Sequence, residues 1–309
     1  MKKPGRSFLI FVLYGFSTVA SYGQLRSDSL SLFDRTKSPN KIRQISLLSG
    51  EAVIFGGTFL GLNNLWYADY PRSGFHTFND NSNWLQMDKA GHVMTAYYVG
   101  NVGKELMQWA GFNDRVSLGW GGSLGLLFLT GVEVLDGLSD EWGFSWGDMA
   151  ANTAGTIFYI GQELLWQEQK MVLKFSYHNT SYADYAPNLL GNSWNERILK
   201  DYNGQTYWLS TNVNSLTGWE KWPAWLNVAA GYGADGMITA SYQELLYSQN
   251  EDFAWQRQYY FGLDIDLRKI PVKKPWLKTT LKALNFIKIP LPTVGINQNG
   301  SVAFYPFYF

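Results

Sequence analysis

The sequence contains no cysteine. That excludes disulfides, thiolate catalysis, cysteine-bound zinc and iron–sulfur clusters, and it leaves no residue for lipid attachment at a lipobox. Net charge is also missing, since 25 Lys and Arg balance 25 Asp and Glu. With no basic block, the chain lacks the cationic face that nucleic acid requires. Charged residues make up only 16% and prolines number 10, against 46% hydrophobic residues. Such a chain is not largely disordered. No G-x-x-x-x-G-K phosphate loop occurs, so no nucleotide is expected. Aromatics are what it has in excess: 19 Phe, 19 Tyr and 14 Trp. Trp and Tyr join an apolar body to a polar tip, which suits boundaries between water and grease.

Residues 1–23 read as a secretory signal. Lys2, Lys3 and Arg6 precede the apolar run Phe8 to Ala20, and Ser21-Tyr22-Gly23 offers small residues for cleavage before Gln24. The run is shorter than the ~20 residues of a spanning helix. Export to the periplasm or outer membrane of a Gram-negative envelope is therefore expected. Residues 24–44 are polar and read as a tether.

Four apolar helices are expected over 45–169, at about Ile45 to Tyr67, Asp88 to Ala110, Val116 to Leu135 and Trp146 to Gln169. Glu51 and Asp69 bracket one uncharged run, and Arg115 and Glu133 another. Each is 17 residues long, the lower end of the spanning range. A membrane bundle and a buried bundle are both open readings.

From about 170 to 309 the period changes to two. Tyr259, Phe261, Leu263, Ile265 and Leu267 form a greasy face, opposite Tyr260, Gly262, Asp264 and Asp266. Further strands are expected at 172–178, 206–214, 225–233, 237–242, 287–297 and 301–309, with Asn299-Gly300 as a hairpin turn. Counting back from Phe309, the residues Phe307, Tyr305 and Ala303 share its face. This resembles the terminal signature of outer-membrane barrels, although Pro306 removes a ladder donor. The expected fold is α+β: a bundle of about four helices, then an antiparallel β region for which closure into a barrel is an open alternative.

Polar groups interrupt the apolar helices. Asp88 and His92 are four apart, as are Asp148 and Asn152, so each pair shares a helical face. Gly155 continues the second stripe, Lys89 adjoins the first, and Glu133 closes the third helix with Asp136 beyond it. Buried ionisable groups are costly unless paired, so these stripes are expected to meet at one end of the bundle. Three readings are open. Asp88, Lys89, His92, Glu133, Asp136, Asp148, Asn152 and Gly155 form a structural polar network. His92, Asp88, Glu133 and Asp148 hold a divalent metal, which is not the favoured reading. His92, Glu133 and Asp148 carry acid–base catalysis.

The order Asp88-Lys89-x-x-His92, then Glu133, then Asp148-x-x-x-Asn152-x-x-Gly155 resembles the YfiM-like family of predicted periplasmic lipoproteins. More distantly it is similar to VanZ-like membrane proteins. The resemblance spans about residues 84–166, and it implies an envelope address rather than a reaction.

Trp208, Trp219, Trp222, Trp225, Phe307 and Phe309 are candidate interface aromatics, and Lys273, Lys274, Lys278, Lys282 and Lys288 a basic surface. The expected partners are a lipid bilayer or other envelope proteins. A non-catalytic structural or interaction role leads. A membrane-proximal hydrolase or transferase acting on a lipid or cell-wall intermediate is the alternative.

Overall fold

The computed structural model describes residues 36, 38–63, 71–247 and 253–309. The leader at 1–23 lies outside them, as does the expected end of the first helix. Helix α1 spans Lys41–Leu62, and the Asn40 side chain caps it by accepting the Arg43 N–H at 3.1 Å. That cap starts the helix a turn earlier than its apolar pattern suggests.

Helix α2, Met87–Trp109, begins after three consecutive left-handed residues: Trp84 (φ 50°), Leu85 (φ 48°) and Gln86 (φ 64°). Non-glycine residues resist this conformation by roughly 1–2 kcal/mol each. The turn is held from the sheet, where Tyr232 Oη and Arg257 Nη1 both donate to the Leu85 carbonyl.

The expected helix Val116–Leu135 is broken. A π turn at Ser117–Gly121 separates a first turn, Asp114–Val116, from helix α3, Leu124–Asp136. Helix α4, Trp146–Trp166, closes where Gln167 turns left-handed. α2 packs against both α3 and α4. At the crossings a Cβ on Gly155 would collide with the Val93 carbonyl, and one on Gly125 with that of Ala96. α1 and the stretch Asp114–Asp136 are long and apolar enough to cross a membrane by length and composition, and α1 is mostly exposed.

Six strands follow: β1 Met171–Tyr177, β2 Gln205–Asn212, β3 Leu226–Asp235, β4 Gln256–Ile265, β5 Leu291–Asn297 and β6 Val302–Tyr308. They pair antiparallel in chain order. The sheet is open, with β1 and β6 at its edges, so the barrel alternative does not hold among the described residues. Helix α5, Pro275–Leu284, connects β4 to β5. Beyond it, Ile287 makes an isolated parallel bridge to Phe175 instead of starting β5.

Two other strand expectations are corrected. Residues 237–242 form no strand: Met237 and Ile238 enter a core with Met87, while Asn203 exchanges hydrogen bonds with the Met237 backbone. In β6 a register shift opposite Leu291–Thr293 takes up Pro306, which has no N–H for the ladder. Tyr305 and Tyr308 thereby both bring their rings against Tyr260, edge-on and tilted respectively, while Phe307 stays exposed. The single aromatic face running back from Phe309 is not formed.

The two faces of the sheet differ in an unusual sense. The buried one carries Lys174, Ser176, Thr206, Trp208, Ser210, Asn212, Asn227 and Asp264. Lys174 and Asp264, each 0% exposed, pair at 2.7 Å. Ser210 donates to Asp264 at 2.6 Å, and Asn227 to Ser210 at 2.9 Å. On the other face Leu209, Ala230, Phe261, Val294 and Phe304 lie opposite one another across five strands. Phe261 is 55% and Phe304 64% exposed, and Val228 and Val302 are exposed beside them.

Candidate functional site

The polar stripes meet where α2, α3 and α4 come together. Ser145 organises the start of α4: its Oγ accepts the Asp148 N–H at 3.0 Å, which caps the helix. The same hydroxyl donates to Asp80 Oδ1 at 2.6 Å, and the Ser145 N–H donates to Glu133 Oε2 at 3.1 Å. One residue therefore ties the 71–82 loop and α3 to α4. Asp88 and Asp148 both sit in first turns, where the helix dipole favours negative charge.

Lys89 lies among three carboxylates, at 2.7 Å from Asp80, 2.9 Å from Asp88 and 3.0 Å from Asp148. His92, one turn on, places Nδ1 at 2.9 Å from Asn152 Oδ1 and 3.9 Å from Glu133 Oε1. Its Nε2 stands 4.0 Å from Asp148 Oδ1. One ligand atom from each of His92, Glu133 and Asp148 lies within 4.8 Å of the others, and the same holds for Asp80, Asp88 and Asp148.

Four carboxylates thus face one ammonium and one imidazole. Burial, reinforced by the Asp148 charge, pushes Glu133 up to about 8, against the pull of the Ser145 N–H. Burial likewise pushes Asp148 up to about 6, with His92 and Lys89 opposing. Asp88 is raised, burial outweighing Lys89. Burial opposes ionisation of Asp80 too, but the bonds from Lys89 and Ser145 prevail and its pKa is lowered. Despite its own burial, Lys89 is held more firmly protonated by Asp88, Asp80 and Asp148. Glu133 Oε1, Asp88 Oδ1 and Asn152 Nδ2 are buried without a hydrogen-bond partner.

The structure brings together Asp88, Lys89, His92, Glu133, Asp148 and Asn152. Gly155 contributes only the close approach of α4 to α2, and Asp136 acts on Glu133 through its charge. Asp80 and Ser145 are members that spacing did not single out. For Ser145 the capping pattern Ser-x-x-Asp was the available signal; Asp80 offered none. A Gly121-x-Ser123-x-Gly125 pattern is present as well. It lies between the π turn and α3, so Ser123 does not occupy the strand-to-helix elbow that such a nucleophile needs.

Among the aromatic candidates, Trp208 is corrected: it is buried and donates Nε1–H to Ser176 Oγ at 3.0 Å. Trp219, Trp225, Phe307 and Phe309 are exposed, and Trp222 is half-buried with its Nε1–H on the Leu226 carbonyl. Lys288 leaves the basic surface. It is buried over the Trp208 ring, 4.9 Å from its centroid.

Residues 75–161 match the model of the DUF2279 family, described as predicted periplasmic lipoprotein. No curated protein and no solved structure matches the chain. Asp80, Asp88, Lys89, His92, Glu133, Ser145, Asp148, Asn152 and Gly155 all fall within the matched segment, and the sheet lies outside it.

Proposed function

We propose that the protein is a non-catalytic component of the cell envelope that seats bare apolar surface on a lipid bilayer. The inverted polarity of the sheet carries this reading. Burying Lys174 and Asp264 while leaving Phe261 and Phe304 bare is costly twice in water, through desolvated charge and through wet apolar area. Against acyl chains the second cost disappears, and polar-in, apolar-out strands are the pattern that lipid selects.

Other features go with it. The exposed apolar side chains of α1 add a second greasy surface. Lys273, Lys274, Lys278 and Lys282 are exposed near α5 and suit anionic headgroups. The matched family is one of predicted periplasmic lipoproteins, yet none of the 309 residues is a cysteine that could carry a lipid.

The test is sedimentation with phosphatidylethanolamine and phosphatidylglycerol vesicles. The wild-type chain is expected in the pellet, and the double variant Phe261→Asp, Phe304→Asp in the supernatant with unchanged circular dichroism. A wild-type chain that stays in solution with vesicles in excess overturns the reading.

A second reading, a hydrolase or transferase acting on a lipid or cell-wall intermediate, draws on the clustering of His92, Glu133 and Asp148. It predicts that His92→Ala keeps its fold and loses a cellular phenotype. A purely structural network predicts instead a stability loss of roughly 3–5 kcal/mol.

A further inference from the structure

Glu133 is the least comfortable residue of the cluster. Its side chain is 1% exposed, and while Oε2 accepts the Ser145 N–H, Oε1 is buried without a hydrogen-bond donor. Oε1 lies 3.9 Å from His92 Nδ1, too far for a hydrogen bond. The charge around it is unbalanced, because Lys89 already answers Asp80, Asp88 and Asp148, the last through the same Oδ1 that faces His92 Nε2. A buried carboxylate oxygen with no donor needs either a proton or a cation.

We infer that His92, Glu133 and Asp148 form a site for one divalent cation. Three observations meet there. Ligands around a single cation at ~2.0–2.4 Å stand within roughly 4.8 Å of each other, and these three residues each offer an atom within 4.8 Å of the others. When His92 donates from Nδ1 to Asn152 Oδ1, its Nε2 lone pair is left on the Asp148 side, 4.0 Å from Oδ1. Orientation of a ligating imidazole by a second polar group is how proteins fix the tautomer a metal requires. The orphaned Oε1 supplies the third donor. One nitrogen and two carboxylate oxygens suit a hard ion such as manganese or magnesium better than a thiolate-seeking one. The cation would join α2, α3 and α4, one ligand from each, and would compensate the charge that Lys89 leaves unanswered. This inference is independent of the bilayer seat, which rests on the sheet.

The test uses the full chain, stripped with EDTA and titrated with manganese chloride. Loss of the free-ion electron paramagnetic resonance signal counts bound manganese. The expected result is saturable binding of one ion per chain with a raised melting temperature. Glu133→Gln should weaken binding at least ~10-fold, while Glu105→Gln, at the far end of α2 and paired with Lys282, should leave it unchanged. A second readout needs no variant: manganese should broaden the His92 imidazole resonances before those of His76 and His178. Absence of saturable binding, undiminished binding by Glu133→Gln, or a His92 signal that stays sharp would each overturn the site.

Discussion

The Lys89 ammonium stands 3.0 Å from the Asp148 carboxylate and so links the first turn of α2 to the first turn of α4. Both side chains are largely withdrawn from water, and Asp80 and Asp88 converge on the same nitrogen. Lys89→Met therefore strands three carboxylates. The expected loss is roughly 3–5 kcal/mol, as when one partner of a buried pair is removed. Urea denaturation in EDTA measures it, and a loss below ~1 kcal/mol would mean that protonation relieves the repulsion instead.

Two glycines of α4 should respond oppositely to the same substitution. Gly155→Ala drives a methyl into the Val93 carbonyl and should cost ~1–3 kcal/mol as over-packing. Gly161 has nothing within 4 Å of where a Cβ would stand. Gly161→Ala should add ~0.5–1 kcal/mol through helix propensity alone. Thermal melts of the two variants decide the matter.

Lys288 makes stability depend on alkaline pH. Burial lowers its pKa to about 8 from the ordinary lysine value of 10.5, with Asp264 resisting and Lys174 assisting. Between those values the unfolded chain holds a proton that the folded chain has released, so this group's contribution rises with pH. It is complete above the unfolded value and is lost as pH falls through about 8. Lys288→Met should raise stability at pH 7 by roughly 2–3 kcal/mol and remove that part of the rise. Asp264 keeps Lys174 in the variant. Equal slopes for the two proteins across this window would refute the assignment.

Neighbours in β2 provide a test of the sheet's polarity in plain buffer. Leu209 is exposed, whereas Ser210 is buried and bonded to Asp264 and Asn227. Leu209→Ser should leave aqueous stability within ~0.5 kcal/mol. Ser210→Ala should cost ~1–3 kcal/mol, because it orphans buried partners. The reverse ranking would place the core on the other side of the sheet.

Much of the layout is legible in the primary structure, and the reasons are local. Helical faces follow from spacing, so Asp88 with His92 and Asp148 with Asn152 can be paired on paper. The change from period 3.6 to period 2 marks where the bundle gives way to the sheet. What period 2 does not encode is which face turns inward. Asp264 and Tyr260 read as the wet side of β4, yet they are the buried ones. Lys288 and Trp208 are buried against expectation, since a Lys or Trp is ordinarily at the surface or boundary. Asp80 reaches the cluster only through the path of the 71–82 loop, a long-range outcome with no local mark. The left-handed turn before α2 is likewise imposed from outside, by Tyr232 and Arg257.

Pro306 has one more effect. β6 borders the sheet, and among the described residues no further strand lies beyond it. Its side chains are mostly apolar and exposed, which ordinarily invites a neighbouring copy to add on and continue the ladder. Pro306 can donate to neither neighbour, and the register shift beside it breaks the regular spacing such growth would copy. The edge that looks readiest to polymerise thus carries its own stop.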